Sequence, residues 1–206
     1  MSKLSDIVAV SRRFQRSVRL DTDHAIDGAL QGYVCHGSSR QAIETMARLF
    51  QETGQRAFTW TGPYGGGKSS LALSLCQILG GSFQQNQDGL ELLGDMPCFH
   101  EAFPQEKEPW LVVPLVGRRA DPVSDLREAL ADAVAREAKP ARTKRRQIDP
   151  AGRDVIERLL KEASARREAG VLLVIDELGK YLEAAADGTA DIHFFQDLAE
   201  SAARCE

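Results

Sequence analysis

Residues 61–73 read TGPYGGGKSSLAL: four glycines crowded ahead of a Lys-Ser pair that opens an apolar run. No other stretch of the chain constrains the fold as tightly. Gly62, Gly65, Gly66 and Gly67 can take positive φ without the steric cost of a Cβ, so the backbone can curl with successive N–H groups turned inward. Such a nest of amides suits an anion. Leu71, Leu75, Ile78 and Leu79 recur at helical spacing until Gly80 and Gly81, which predicts a helix over 68–79. A helix starting at the loop aims its free N–H groups and positive dipole end at the same anion. The preceding RAFTWTG predicts a short strand over 56–61. Strand, glycine loop and helix are the setting that the pattern G-x-x-x-x-G-K-[ST] requires, and Gly62, Gly67, Lys68 and Ser69 fill its fixed positions. Pro63, Tyr64, Gly65, Gly66 and Ser70 complete the loop. We read it as a phosphate cradle.

The remaining sequence places that loop in an α/β chain. HGSSRQAIETMARLFQETG predicts a helix with Ser38 as N-cap, Gln41 closing a capping box and Gly54 ending it; Ile43, Met46, Ala47 and Phe50 form its apolar face. Residues 82–109 are polar, broken by Pro97, Pro104 and Pro109, and long for a connection, so an insertion, functional or mobile, is expected. WLVVPLVG predicts the second strand, with Pro114 demanding a sheet edge or a bulge. Asp121 and Pro122 start a helix through Val123, Leu126, Leu130 and Val134, and Asp149 and Pro150 repeat that signal ahead of Val155, Leu159 and Ala163. VLLVI over 171–175 is wholly apolar, as in a strand buried on both faces. Ile192, Phe195, Leu198 and Ala202 outline a last amphipathic helix. Strands alternating with helices argue for a parallel sheet.

Composition narrows the setting. Across 206 residues, 43% hydrophobic and 27% charged residues describe an ordinary globular chain, and a formal charge of -4 gives no general attraction to nucleic acid or anionic membrane. No apolar stretch approaches the roughly 20 residues that span a bilayer, and the N-terminal residues have no secretory apolar core. Cys35, Cys76, Cys98 and Cys205 are scattered without a C-x-x-C pair, which suggests reduced thiols in the cytoplasm. Cys98 and His100 lie close in sequence, yet no second ligand pair accompanies them.

A phosphate cradle does not hydrolyse anything by itself. A nucleoside triphosphate brings Mg²⁺, which needs oxygen ligands: the Ser69 hydroxyl and a carboxylate at the end of a neighbouring strand. Asp176, at the C-terminal end of VLLVID, is in the position where open α/β sheets place their ligands. Glu177 follows at once, placed to orient or deprotonate an attacking water. A solvated strand-end acidic pair is the competing reading. Lys180 and Tyr181 beyond it read as helix surface and core.

Gly62, Gly67, Lys68 and Ser69, followed by an apolar strand ending in Asp176 and Glu177, resemble the Walker A and Walker B motifs of P-loop ATPases. The adjacent glutamate is similar to the branch with an added catalytic Glu, which includes the AAA+ and STAND ATPases; nucleotide kinases of the P-loop class generally lack it. The wording GPYGGGKSSLAL and VIDELGKYLE also resembles large bacterial ATPases encoded with anti-phage defence systems of the BREX type. The resemblance covers residues 33–204 and implies a three-layer, mostly parallel P-loop sheet, with an N-terminal extension over 1–32 and the ATPase domain over 33–206. It implies ATP and Mg²⁺ as cofactors, with Lys68 and Glu177 catalytic and Ser69 and Asp176 on the metal. DNA, other subunits of a defence complex, or further copies of the full-length protein are the partners it suggests. That family inserts a strand between the phosphate-loop strand and the Asp-Glu strand, and Pro114 fits the edge position of the strand beyond. The segment before the first strand often cradles adenine there, making Gly32, Tyr33 and Val34 candidates; an N-terminal element packed on the core is the equal alternative.

The departures are as informative. After Glu177 no further strand, polar sensor, arginine finger or helical lid can be placed; Arg118 and Arg119 follow a strand but read as solvated loop residues. The sheet is therefore expected to be incomplete toward the C-terminus, a piece of a longer ATPase with its gap open, loosely closed or filled by another segment. Such a piece should bind nucleotide weakly and turn it over slowly. Three functions compete: Mg-dependent ATP hydrolysis driving a larger motor or switch, a nucleotide-gated scaffold with little hydrolysis, and a nucleic-acid module using Lys139, Arg142, Lys144, Arg145 and Arg146. That basic linker has no interleaved aromatics for base stacking.

Overall fold

A computed structural model describes residues 17–104, 108–137, 152–166 and 169–205. Two strands form its sheet. β1 (Leu111–Val116) and β2 (Val171–Asp176) pair in parallel, Leu111 opposite Val171 and Val116 opposite Asp176. Leu111 donates its N–H to the Gly170 carbonyl at 3.0 Å and Gly117 to that of Asp176 at 2.7 Å, so the odd-numbered residues turn their ladder groups toward β2. Pro114 has its nitrogen on the opposite side, the outer edge, where no donor is missed. The proline stands where the sequence requires it.

Helices cover both faces of this pair. Leu111, Val113, Leu115, Leu173 and Ile175 pack against α6 (Pro122–Glu137), α7 (Arg153–Ala165) and α9 (His193–Ala203). Val112, Leu172 and Val174 meet α1 (Leu20–Asp23) and α3 (Lys68–Gly80) on the other face, with Leu20 and Leu73 fully buried between them. α2 (Gly37–Thr53), α4 (Phe83–Leu93) and α5 (Pro97–Ala102) wrap the outside of α3. The architecture is mixed α/β around a two-stranded parallel sheet.

The direction of α3 decides where the glycine loop lies. Trp110, just before β1, donates its N–H to the Leu79 carbonyl at 2.8 Å. A Cβ on Gly80 would stand 2.3 Å from Cγ2 of Val112 and 2.6 Å from the Trp110 carbonyl, so glycine permits this close approach. The C-terminal end of α3 thus sits at the N-terminal end of β1, and the helix runs antiparallel to the strands. Thirteen helical residues span about 20 Å at about 1.5 Å each, and six strand residues span about 20 Å at about 3.3 Å each. The N-terminus of α3 therefore reaches the C-terminal ends of the strands.

Several expectations need correction. Residues 54–63 form no strand, although positions 54, 56, 58 and 60 are half-buried and 55, 57 and 59 exposed. The two-residue rhythm is there, and Phe58 and Trp60 pack beside α3, but the ladder is not. A strand needs a hydrogen-bonding neighbour, and among the described residues β2 pairs with β1 alone. For the same reason β2 is half-buried along its whole length rather than enclosed on both sides. The expected three-layer P-loop sheet is not seen: among the described residues the sheet is one parallel pair.

Within the expected insertion, residues 82–104 carry two packed helices. Ser82 and Gln85 close a capping box on α4, and Phe99, with no exposed surface, lies 5.1 Å from Phe103 between ring centroids. α2 begins at Gly37 with His36 as N-cap, so Ser38 lies inside the first turn; Gly54 ends the helix in the left-handed region as its sequence requires. Phe194, not Ile192, is the buried anchor of α9, since Ile192 is 53% exposed. Asp121 caps α6 through the N–H groups of Val123 and Ser124, as expected. The Asp149 and Pro150 signal and the basic linker lie outside the described residues; α7 starts at Arg153 from Gly152.

Candidate functional site

The glycine loop takes its shape from its glycines. Gly65 and Gly67 take φ of 75° and 76°, conformations that an L side chain resists. Gly66 turns tightly enough that a Cβ would come within 3.1 Å of the Pro63 carbonyl. Gly67 is the N-cap of α3 and carries no side chain to occupy the first-turn N–H groups, which stay available to a ligand. Lys68 folds back over this loop, its Nζ donating to the carbonyls of Gly62 at 2.8 Å and Pro63 at 2.7 Å. Tyr64 stands at the apex, 99% exposed, with the Lys68 ammonium 6.0 Å from its ring centre. Ser69 and Ser70 are half-buried in the first turn of α3. Tyr33 backs the loop: a Cβ on Gly67 would lie 3.2 Å from its ring. Val34 is largely exposed beside it.

Asp176 closes β2 at the end of the sheet that the loop also reaches. Side chains alternate along a strand, so Asp176 shares the face of Leu172 and Val174, which is the α3 face. The structure brings both halves of the expected site to one end of one face. The turn beyond it is unusual. Glu177 has φ of 54° and is the one non-glycine with positive φ among the described residues. Its N–H meets Oδ1 of Asp176 at 3.0 Å, and its carbonyl accepts from the N–H of Lys180 at 3.0 Å. Gly117 lies directly beneath: a Cβ there would be 2.2 Å from the Glu177 carbonyl oxygen. A left-handed glutamate costs about 1–3 kcal/mol and persists only where its surroundings enforce it, and such outliers gather at functional sites.

Two polar clusters that the sequence pattern does not reveal anchor the helix beyond the turn. On α8 (Gly179–Ala186), the fully buried Tyr181 donates its hydroxyl to Oδ2 of Asp125 on α6 at 2.7 Å, and Arg118 grips the same carboxylate with Nε at 2.7 Å. Burial pushes the Asp125 carboxyl up, but the Arg118 and Tyr181 hydrogen bonds outweigh it and hold it below its ordinary value. Burial, followed by the bond to Asp125, raises the Tyr181 phenol. Arg119 donates from Nε to Glu183 of α8 at 2.9 Å. Of the two arginines expected to be solvated, Arg119 therefore ties the β1–α6 loop to α8 directly and Arg118 does so through Asp125, though both remain mostly exposed. The signal was the Arg-Arg pair after a strand; Asp125 and Glu183 follow 7 and 64 residues on, spacings that mark no pairing by themselves.

Lys180, at the start of α8, forms an ion pair with the Glu177 carboxylate. The hydrogen bond to Glu177 is the largest cause that raises its pKa. Elsewhere, a cleft of about 390 Å³ along the outer edge of β1 is lined by Arg19, Asp21, Arg118, Asp132 and Arg136; no glycine-loop residue borders it. No cluster of three or more His, Cys, Asp or Glu side chains suited to a metal occurs among the described residues, Cys98 and His100 included. No described helix is long and apolar enough to cross a membrane. No protein-family model, curated protein or solved structure matches this chain.

Proposed function

We propose that the chain binds Mg-ATP at the phosphate loop and hydrolyses it, as the nucleotide-driven part of a motor or switch. One observation carries this reading: the glycine loop at the N-terminus of α3 and the Asp176 and Glu177 turn lie at the same end of one sheet face, and Glu177 is held there in a conformation glutamate avoids. The residues fit the ligand. The curl of Gly65, Gly66 and Gly67 leaves amides for phosphate oxygens, and the Lys68 ammonium already rests on loop carbonyls that a more negative phosphate would outcompete. The Ser69 hydroxyl and the Asp176 carboxylate are the oxygen ligands for Mg²⁺, which when bound neutralises charge on the phosphates. Glu177 orients the attacking water and takes its proton. Tyr33, behind Gly67, is the base-side wall. Adenine is preferred over guanine on the strength of the resemblance to AAA+ and STAND ATPases.

The test is a pair of variants of the full chain. Lys68→Ala should abolish binding of a labelled ATP analogue or weaken it severely, because loop amides alone carry only partial charges. Glu177→Gln keeps size and polarity but loses the base, so binding should persist while turnover falls about 100-fold or more. Unchanged affinity in the first variant sinks the phosphate-loop assignment; unchanged turnover in the second moves the general base elsewhere. The resemblance to defence ATPases makes DNA the first effector to add to that assay.

A further inference from the structure

The Lys180 ammonium has a choice of anions. It sits one turn past the Asp176 and Glu177 pair, bonded to the Glu177 carboxylate, at the end of the sheet that the glycine loop also reaches. Both partners of the ion pair are close to half-exposed, so the pair is weakly held and readily exchanged. The backbone around it is not loose. Gly117 presses on the Glu177 carbonyl, and Tyr181, the next residue after Lys180, is locked to Asp125. A rigid turn thus holds two half-exposed, oppositely charged side chains at the end of the sheet where the glycine loop lies.

We propose that Lys180 is a second phosphate-binding lysine that senses the terminal phosphate of the nucleotide. Its ammonium exchanges the Glu177 carboxylate for terminal phosphate oxygens, and that exchange frees Glu177 for water. A terminal phosphate carries more negative charge than a carboxylate and offers three acceptor oxygens, so the exchange is downhill when the phosphate is within reach. ADP, one phosphate shorter, leaves the Glu177 pair intact. The device couples the identity of the nucleotide to the availability of the base. It rests on the proposed role of the glycine loop as the nucleotide site.

The experiment compares Mg-ATP and Mg-ADP affinities of the full chain by calorimetry, for wild type, Lys180→Met, Lys180→Gln, Glu177→Gln and Lys68→Ala. Both Lys180 variants should bind ADP like wild type and bind ATP about tenfold more weakly, the loss of one charge-assisted contact. Glu177→Gln should shift the ratio the other way, favouring ATP, because it removes the competing anion. Adding Lys180→Met to Glu177→Gln should erase that gain. Lys68-dependent binding with an ATP to ADP ratio unchanged in both Lys180 variants overturns the inference alone, and so does an equal loss for both nucleotides. A wild type that binds neither nucleotide, or a Lys68→Ala variant that binds like wild type, overturns the phosphate-loop reading and the inference with it.

Discussion

Gly117 shows how one hydrogen atom can decide a site. Its N–H closes the ladder on the Asp176 carbonyl, and its missing side chain lets β1 end flush against the Asp-Glu turn. A methyl group would meet the Glu177 carbonyl oxygen at 2.2 Å, its carbon at 2.8 Å and the Asp176 oxygen at 3.2 Å. All three are backbone atoms and cannot swing aside as a flexible side chain could. Gly117→Ala should therefore lower stability by about 1–3 kcal/mol in urea unfolding, the range for overpacking a tight site. Under the proposed function it should also reduce ATP turnover more than ATP affinity, because it displaces Glu177 and leaves the glycine loop untouched. A variant as stable and as active as wild type would show that the turn is softer than this geometry implies.

At the scale of elements, α4 and α5 are structural members and not an appendage. Their stretch is rich in Gln, Asn and Asp, which is why it reads as loop, yet Leu93, Met96 and Phe99 face inward with almost no exposure. Phe103 joins three elements at once: its ring centre is 4.7 Å from Phe50 of α2, 5.1 Å from Phe99 of α5 and 5.6 Å from Trp110 ahead of β1. Removing a buried aromatic from such a cluster leaves a cavity the neighbours fill only in part. Phe99→Ala should cost about 3–5 kcal/mol, read as a fall in the urea midpoint. A loss below about 1 kcal/mol would return this segment to the status of an insertion.

At the scale of the molecule, buried and half-buried carboxylates tie the layers together. Asp125 links α6 to α8 and to the loop after β1, and Asp154 of α7 accepts from Arg127 of α6 at 2.7 Å. The hydrogen bond from Arg127 holds the Asp154 carboxyl below its ordinary value, and Arg118 with Tyr181 does the same for Asp125 against its burial. A carboxyl whose folded pKa is depressed contributes stability that is present above its unfolded value, about 3.9, and lost as the pH falls through the folded value. Thermal stability should therefore hold down to about pH 4 and decline below it. A melting temperature that stays level to about pH 2 would show that these pairs add nothing net.

The sequence by itself determined what short-range sterics and periodicity control. The glycine loop, the helix after it, the left-handed Gly54 stop, the Asp121 cap and both paired strands were legible because each depends on residues within a few positions. Pro114 even declared its edge, since a missing donor restricts where a strand can lie. Tertiary structure alone decided whether residues 56–61 would join a ladder, because a ladder needs a partner strand that no local pattern supplies. It likewise decided that β2 is half-buried, that Phe99 lies in the core and that Glu177 is left-handed over Gly117. The Arg118, Asp125 and Tyr181 cluster spans three separate elements, and no spacing rule could have joined them. Local geometry is written in neighbouring residues; which distant surfaces meet is settled only when the whole chain buries its apolar faces together.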